Sequence, residues 1–450
     1  MGKGKIVWGS TPEETLAKMG VQPDFTAGPF VRWIHRSVDS MDIYFVACAG
    51  QQPTERLCTF RVAGKRPEFW QPETGRIEPV ALYEQANGVT RIPISFESAG
   101  SVFVVFREGG KSFDPVVSVT RQGQPVLPAP ERKARIVIEK ATYGVLSDPS
   151  RTRDVKAKLQ AVVDGGELTF QVARMAQGDD PAFGIVKTLI VEYTADGKPF
   201  KISGQDPEEI TLLTATSSEP VAQVRGRADG RLWLEAWQPG RYELKTASGR
   251  TLPCEASALP QPLEIAGAWD LRFPPGAGAP EQVTLEKLVS WSEHSSPGVK
   301  HFSGTATYTK TIRVPSNMLG ANRHLYLDLG NVQVMAQVKL NGKDLGILWK
   351  PPYRVEITDA AKAGENTLEV KVTNLWVNRM IGDESLPEDN SRNPDGTLKE
   401  WPQWVREGKP SPTGRYTFTS WRLWKASEPL LESGLLGPVT LRVTEQVNVR

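Results

Sequence analysis

Residues 366–385 read NTLEVKVTNLWVNRMIGDES, and the change of pattern within them decides the fold. From Thr367 to Val372 apolar and polar residues alternate with period two, the signature of a strand that buries one face. At Asn374 the alternation stops, and Trp376, Asn378, Arg379, Gly382, Asp383 and Glu384 follow in quick succession. A strand that runs into aromatic, guanidinium and carboxylate side chains is leaving a core for a polar site.

Working outward, the same alternation fills the chain on both sides. GTATYTKTIRV (304–314), RHLYLDLGN (323–331), VQVMAQVKLNGKDLG (332–346) and GLLGPVTLRV (434–443) surround the opening stretch, with Asn341-Gly342 as a hairpin signal. These long strands predict a jelly-roll sandwich over 264–450. Upstream, ARIVIEK, KLQAVVDGGELTFQV, KTLIVEYTADGKPF and GRLWLEAWQPGRYEL predict a β-sandwich of immunoglobulin-like type over 132–252, with Asp164-Gly165 and Asp196-Gly197 as hairpin turns. DIYFVACA, LCTFRV and GSVFVVFRE predict another sandwich over 26–121. The Pro-bearing stretches 122–131 and 252–264 read as exposed linkers. The expected class is therefore all-β: two β-sandwich modules followed by a jelly-roll.

Residues 1–25 differ. Thr11, Pro12 and Glu14 form a capping box for a helix closed by Gly20 and Pro23. Ile6–Trp8 ahead of it reads as a short strand. One strand and one helix form the unit of a parallel sheet, so this segment reads as the remnant of a domain.

Composition removes several functions. Of 450 residues, 39% are hydrophobic and 24% charged, and the net charge of +2 provides no basic excess for a nucleic-acid backbone. No apolar run reaches the roughly 20 residues that span a bilayer, and the start lacks a signal-peptide core. The chain as written is therefore expected in the cytoplasm, or in the periplasm or medium if it derives from a longer precursor. Cys48, Cys58 and Cys254 have no metal or redox spacing and read as idle thiols. The four histidines lack the spacing of a zinc site, and His35 reads as a structural residue. No nucleotide-binding loop or G-x-S-x-G elbow is present.

The final module holds eight of the 13 tryptophans, five of them from Trp376 to Trp424. Indole faces stack on sugar rings while neighbouring carboxylates, amides and guanidinium groups bond the hydroxyls. Trp376, Asn378, Arg379, Trp404, Trp421 and Arg422 are the candidate substrate-binding residues, with Trp401, Trp424 and Arg406 in the same surface. The alternative is a set of core tryptophans with solvated charges between them. Asp383, Glu384 and Glu388 are the candidate catalytic acids, since glycoside hydrolysis needs two carboxyls about 5 Å or about 6.5–9.5 Å apart. Glu400 and Glu407 are further candidates for the second member of the pair, and Asp389 adds to the acids of this loop. No cofactor is expected. Structural calcium is the one metal that an acidic loop of this kind suits.

The runs 304–314, 340–358, 373–384 and 417–441 together resemble the C-terminal jelly-roll of large bacterial glycoside hydrolases of the α-L-rhamnosidase type. More distantly they are similar to the sugar-binding domain of β-galactosidases and β-glucuronidases, which implies that the jelly-roll is galactose-binding-like. Segments 31–50, 60–75 and 154–170 resemble the β-modules that precede that jelly-roll. The resemblance implies a carbohydrate ligand. It also implies that the family's catalytic carboxylates belong to an N-terminal (β/α)8 barrel, for which these residues leave no room, and that the loop after Thr373 reaches toward a sugar. Two readings follow: a glycosidase using the acids of this loop, or a non-catalytic carbohydrate-binding and scaffolding fragment.

Overall fold

The computed structural model describes residues 6–28, 30–50, 53–109, 114–128, 135–212, 220–227 and 229–449. Its elements are overwhelmingly antiparallel strands, as the period-two pattern requires. The chain divides into two compact units that interleave in sequence: 1–65, 83–104 and 124–221 form one, and 66–82, 105–123 and 222–450 the other. No helix among the described residues is long and apolar enough to cross a membrane.

In the first unit, strands Thr54–Phe60 and Val89–Phe96 pair, with Phe25–Thr26 and Glu84–Ala86 at their flanks. Strands Val31–Val38 and Met41–Cys48 form a hairpin beside them. His35 is satisfied by Asp24 at 2.9 Å and Asp42 at 3.2 Å, the structural role expected of it. Cys48 and Cys58 are buried free thiols, and burial pushes the Cys58 thiol up to about 12. A second sheet runs Thr152–Asp154, Ile136–Gly144, Thr188–Ala195 and Lys198–Gln205. Asp196 and Gly197, both at positive φ, make the tight turn between its last two strands.

Asp164-Gly165 is not a hairpin. Lys156–Asp164 is an α-helix whose Leu159 and Val163 enter the core beside Ile138, Tyr143 and Val191. Asp154 accepts from the Lys156 amide at its start, and Gly165 ends it. The i, i+4 spacing of Leu159 and Val163 outweighs the turn signal that follows. The capping box at Thr11 forms, with Glu14 N donating to Thr11 Oγ1 and Thr11 N to Glu14 Oε2. Residues 6–8 lie outside any strand, with Ile6 and Trp8 almost wholly exposed, so the expected strand is absent there.

The two stretches read as linkers carry strands. Gln124–Leu127 is one, and residues 129–131 lie outside the described residues. Thr251–Ala256 pairs with Gly240–Thr246, and Leu263–Glu264 pairs with the last long strand. Pro253 sits in an edge strand, where the missing N–H removes no ladder bond that a neighbour needs. A proline there imitates a linker in the sequence.

The second unit holds the jelly-roll-like sandwich. One sheet orders Gln282–Leu285, Trp269–Arg272, Thr305–Val314, Gly364–Thr373, Met335–Leu340 and Lys343–Leu348. The other orders Ala222–Gly226, Leu232–Ala236, Thr440–Asn448, Arg323–Asp328 and Arg354–Glu356. Both sheets send side chains into one core: Leu271, Tyr308, Val338, Leu368, Val370 and Val372 from the first, Leu325, Leu327, Leu441 and Val443 from the second. Asn341-Gly342 forms the predicted turn, both residues at positive φ. Strand Gly434–Gly437 lies against the buried Trp291–Tyr308 pair. A Cβ at Gly434, whose φ is +100°, would come within 2.6 Å of Trp291 Nε1 and Tyr308 Oη.

Candidate functional site

Strand Gly364–Thr373 ends where Asn374 takes over the backbone bonding. Its amide donates to Phe302 O and its oxygen accepts from Gly304 N, each at 2.9 Å. The chain then turns into a short helix, Val377–Asp383, whose polar residues face inward: Asn378, Arg379 and Asp383 are buried with Ile381. Gly382 is needed for this approach, since a Cβ there would sit 2.7 Å from His301 Cβ. Burial lowers the His301 pKa, which keeps the imidazole neutral against the helix.

Each inward polar group fastens a distant piece of chain. Asn378 grips residues 431–433, donating to Leu431 O at 2.7 Å and Ser433 Oγ at 2.9 Å and accepting from Leu431 N at 2.8 Å. Asp383 Oδ2 accepts from Tyr416 N at 2.8 Å, Thr417 N at 2.7 Å and Thr417 Oγ1 at 2.8 Å. Arg379 donates to Ala277 O at 3.1 Å and lies 4.4 Å from the Tyr416 ring centroid. Its burial disfavours the charge and lowers its pKa. Glu384 pairs with Arg415 and Arg422, each at 3.0 Å, and Glu388 also pairs with Arg422. Arg392 donates to Gly396 O and Thr419 O.

These anchors hold residues 384–424 as an ordered surface with little regular structure. Gly396–Leu398 lies beside Ser420–Arg422 through Leu398 N to Ser420 O and Arg422 N to Gly396 O. Trp421 lies over Gly396, and Trp401 packs on Phe418 at 5.5 Å between ring centroids. Both indoles remain more than half exposed, Trp401 at 54% and Trp421 at 56%. Trp404 also meets Phe418, edge-on, and donates its Nε1 to Asp389 O at 3.0 Å. Trp376 stands exposed at the start of the helix.

The sequence candidates therefore separate. Trp376, Trp421 and Arg422 reach the surface and Trp404 is half-buried, whereas Asn378 and Arg379 point inward. Asp383, expected as an exposed acid, is only 2% exposed and bonded three times. Glu384 and Glu388 are each held by arginine. Sequence reading missed Arg415, Thr417 and Arg392 as organisers of the loop. Their bonds are largely to or from backbone groups about 30 residues away, which no local spacing encodes. Among the described residues no group of three or more His, Cys, Asp or Glu is placed to hold a metal ion.

The sandwich of jelly-roll type thus carries an aromatic, charged loop at one strand end, and the chain is similar to parts of known glycoside hydrolases. Residues 297–407, which contain the helix and much of the loop, match the family model of the glycosyl hydrolase 2 galactose-binding domain-like module. Residues 1–85 match the α-L-rhamnosidase family model. A protein of Formosa agariphila named "Putative beta-glucuronidase" is 33% identical over 92% of this chain, which spans 43% of that protein. The rhamnosidase of Novosphingobium sp. PP1Y superposes with a TM-score of 0.51 at 25% identity, over 96% of this chain and 26% of the other. The chain thus resembles, over nearly its whole length, a β-rich region of α-L-rhamnosidase-type glycoside hydrolases, and spans less than half the length of either relative.

Proposed function

We propose that this chain serves carbohydrate recognition in a glycoside hydrolase, with residues 384–424 presenting Trp401 and Trp421 to a saccharide. The observation that carries the reading is the pair of half-exposed indoles on a segment tied down by Asp383, Arg392 and Arg415. An exposed indole whose orientation is already fixed gives up little entropy when a sugar ring stacks on it. Asp383 and Asn378 act here as fasteners of the loop, and Arg422 presents its guanidinium edge from between Glu384 and Glu388.

Turnover by the chain itself is the second reading, favoured by its similarity to proteins named as glycosidases. It would draw on Glu384 and Glu388, and among the three proposed acids Glu388 is the most accessible. One experiment separates the two. Pure protein is titrated with a panel of neutral and charged oligosaccharides and incubated with a panel of nitrophenyl glycosides. The recognition reading expects saccharide binding that Trp421→Ala abolishes, without nitrophenol release. Release that disappears in Glu388→Gln supports the catalytic reading, and binding of no saccharide rejects the recognition reading.

A further inference from the structure

On the same loop, an open groove of about 500 Å3 is lined by Asp389, Asn390, Glu400, Gln403, Trp404 and Glu407, with Ser391, Pro402 and Lys409 completing it. Its size falls within the range of small-ligand sites. The walls are fixed. Trp404 is held by Phe418 and by its bond to Asp389 O, and Asp389 accepts from Ser411 Oγ and Asn390 Nδ2, each at 2.6 Å. Asn390 Oδ1 is buried in this wall with no hydrogen-bond partner among the described residues.

The charges of the groove are unbalanced. Three carboxylates, Asp389, Glu400 and Glu407, face one ammonium, Lys409, which leaves a net of two negative charges. Glu407 spends its charge on Lys409 at 2.7 Å and on Gln403 at 2.6 Å. Asp389 takes its hydrogen bonds from neutral donors, with the Arg392 guanidinium acting on it from behind the wall, and exposed Glu400 has no hydrogen bond or ion pair among the described residues. Two carboxylates beside an indole and two side-chain amides favour a ligand that brings donors and positive charge, and they repel a carboxylated one.

We propose that this groove is a saccharide subsite selective for amino sugars, with Glu400 and Asp389 accepting the ammonium and Trp404 flanking the ring, and that it excludes uronates. The inference rests on the carbohydrate-recognition reading and adds the charge class of the ligand.

The test compares tetramers of β-1,4-linked glucosamine, glucose and glucuronate, which share a backbone and differ in charge. Binding is measured by calorimetry at about pH 5.5, where the amine is protonated and carboxylates are ionised. The glucosamine tetramer should bind about tenfold more tightly than the glucose tetramer, the effect of one charge-assisted hydrogen bond, and the glucuronate tetramer more weakly than either. Glu400→Gln removes a charge from an exposed side chain without partners and leaves the fold intact. It should reduce the preference to about threefold or less, as should added salt. Equal or tighter binding of glucuronate, or a preference unchanged in Glu400→Gln, overturns the subsite. In that case Trp421-dependent binding of neutral saccharides would leave the recognition reading standing, whereas binding of no saccharide at all defeats both.

Discussion

Asp383→Ala distinguishes a fastener from an exposed functional acid. In the folded chain one carboxylate oxygen takes bonds from Tyr416 N, Thr417 N and Thr417 Oγ1, all within 2.8 Å. Alanine leaves two part-buried backbone N–H groups and a hydroxyl without their acceptor. Each unsatisfied buried donor costs about 1–3 kcal/mol, and partial access of water puts these two N–H groups at the lower end, about 2–3 kcal/mol together. At about 2–4 °C per kcal/mol for a unit of this size, the melting temperature should fall by about 10 °C. The assay is thermal unfolding by circular dichroism, with saccharide binding measured below the transition. Binding should weaken as well, because residues 416–422 lose the bond that places Trp421. Asp383→Asn keeps an acceptor oxygen and should fall between wild type and alanine. A melting temperature within about 1 °C of wild type, with saccharide binding abolished, would refute the fastening argument and make Asp383 a ligand-contacting acid.

Two further consequences concern the frame. Gly434→Ala forces a Cβ against Trp291 and Tyr308 at positive φ, and should destabilise by about 1–3 kcal/mol from overpacking plus backbone strain, measured by denaturant unfolding. His324 and Glu356 give a pH signature. The hydrogen bond between them raises His324 above its ordinary 6.5 and lowers Glu356 below its ordinary 4.5. The histidine's contribution is complete below pH 6.5 and is lost as pH rises through its raised folded value. The glutamate's is complete above pH 4.5 and is lost as pH falls through its lowered one. The stability difference between wild type and His324→Gln should therefore be greatest between about pH 4.5 and 6.5 and shrink on both sides, measured by unfolding at each pH.

Much of the frame was legible because half-buried strands alternate. TLEVKV and KTLIVEYTA expose one face each, and the Asn341-Gly342 and Asp196-Gly197 turns lie where positive φ is required. The helix at 156–164 was not legible, since a short apolar run followed by Asp-Gly fits two periods and only packing against Ile138 and Tyr143 chooses between them. Pro253 misled for a related reason, because an edge strand and a linker tolerate proline equally. In the loop, composition marked the surface but not the roles. Trp421 and Arg422 are exposed as their chemistry suggested, while Asn378 and Asp383 turned inward to meet backbone amides of residues 431 and 416–417. A carboxylate reads the same in sequence whether it faces a sugar or an amide.

The most direct test of the account observes the tryptophans themselves. In protein carrying 15N-labelled indoles, titration with a saccharide selected by the binding panel should shift the Nε1–H signals of the exposed Trp401 and Trp421. The buried Trp269 and Trp291 in the sandwich core should keep theirs. Shifts confined to Trp401, Trp421 and their neighbours place the sugar on the loop surface. Saturable binding that leaves both of those signals unmoved would contradict the account.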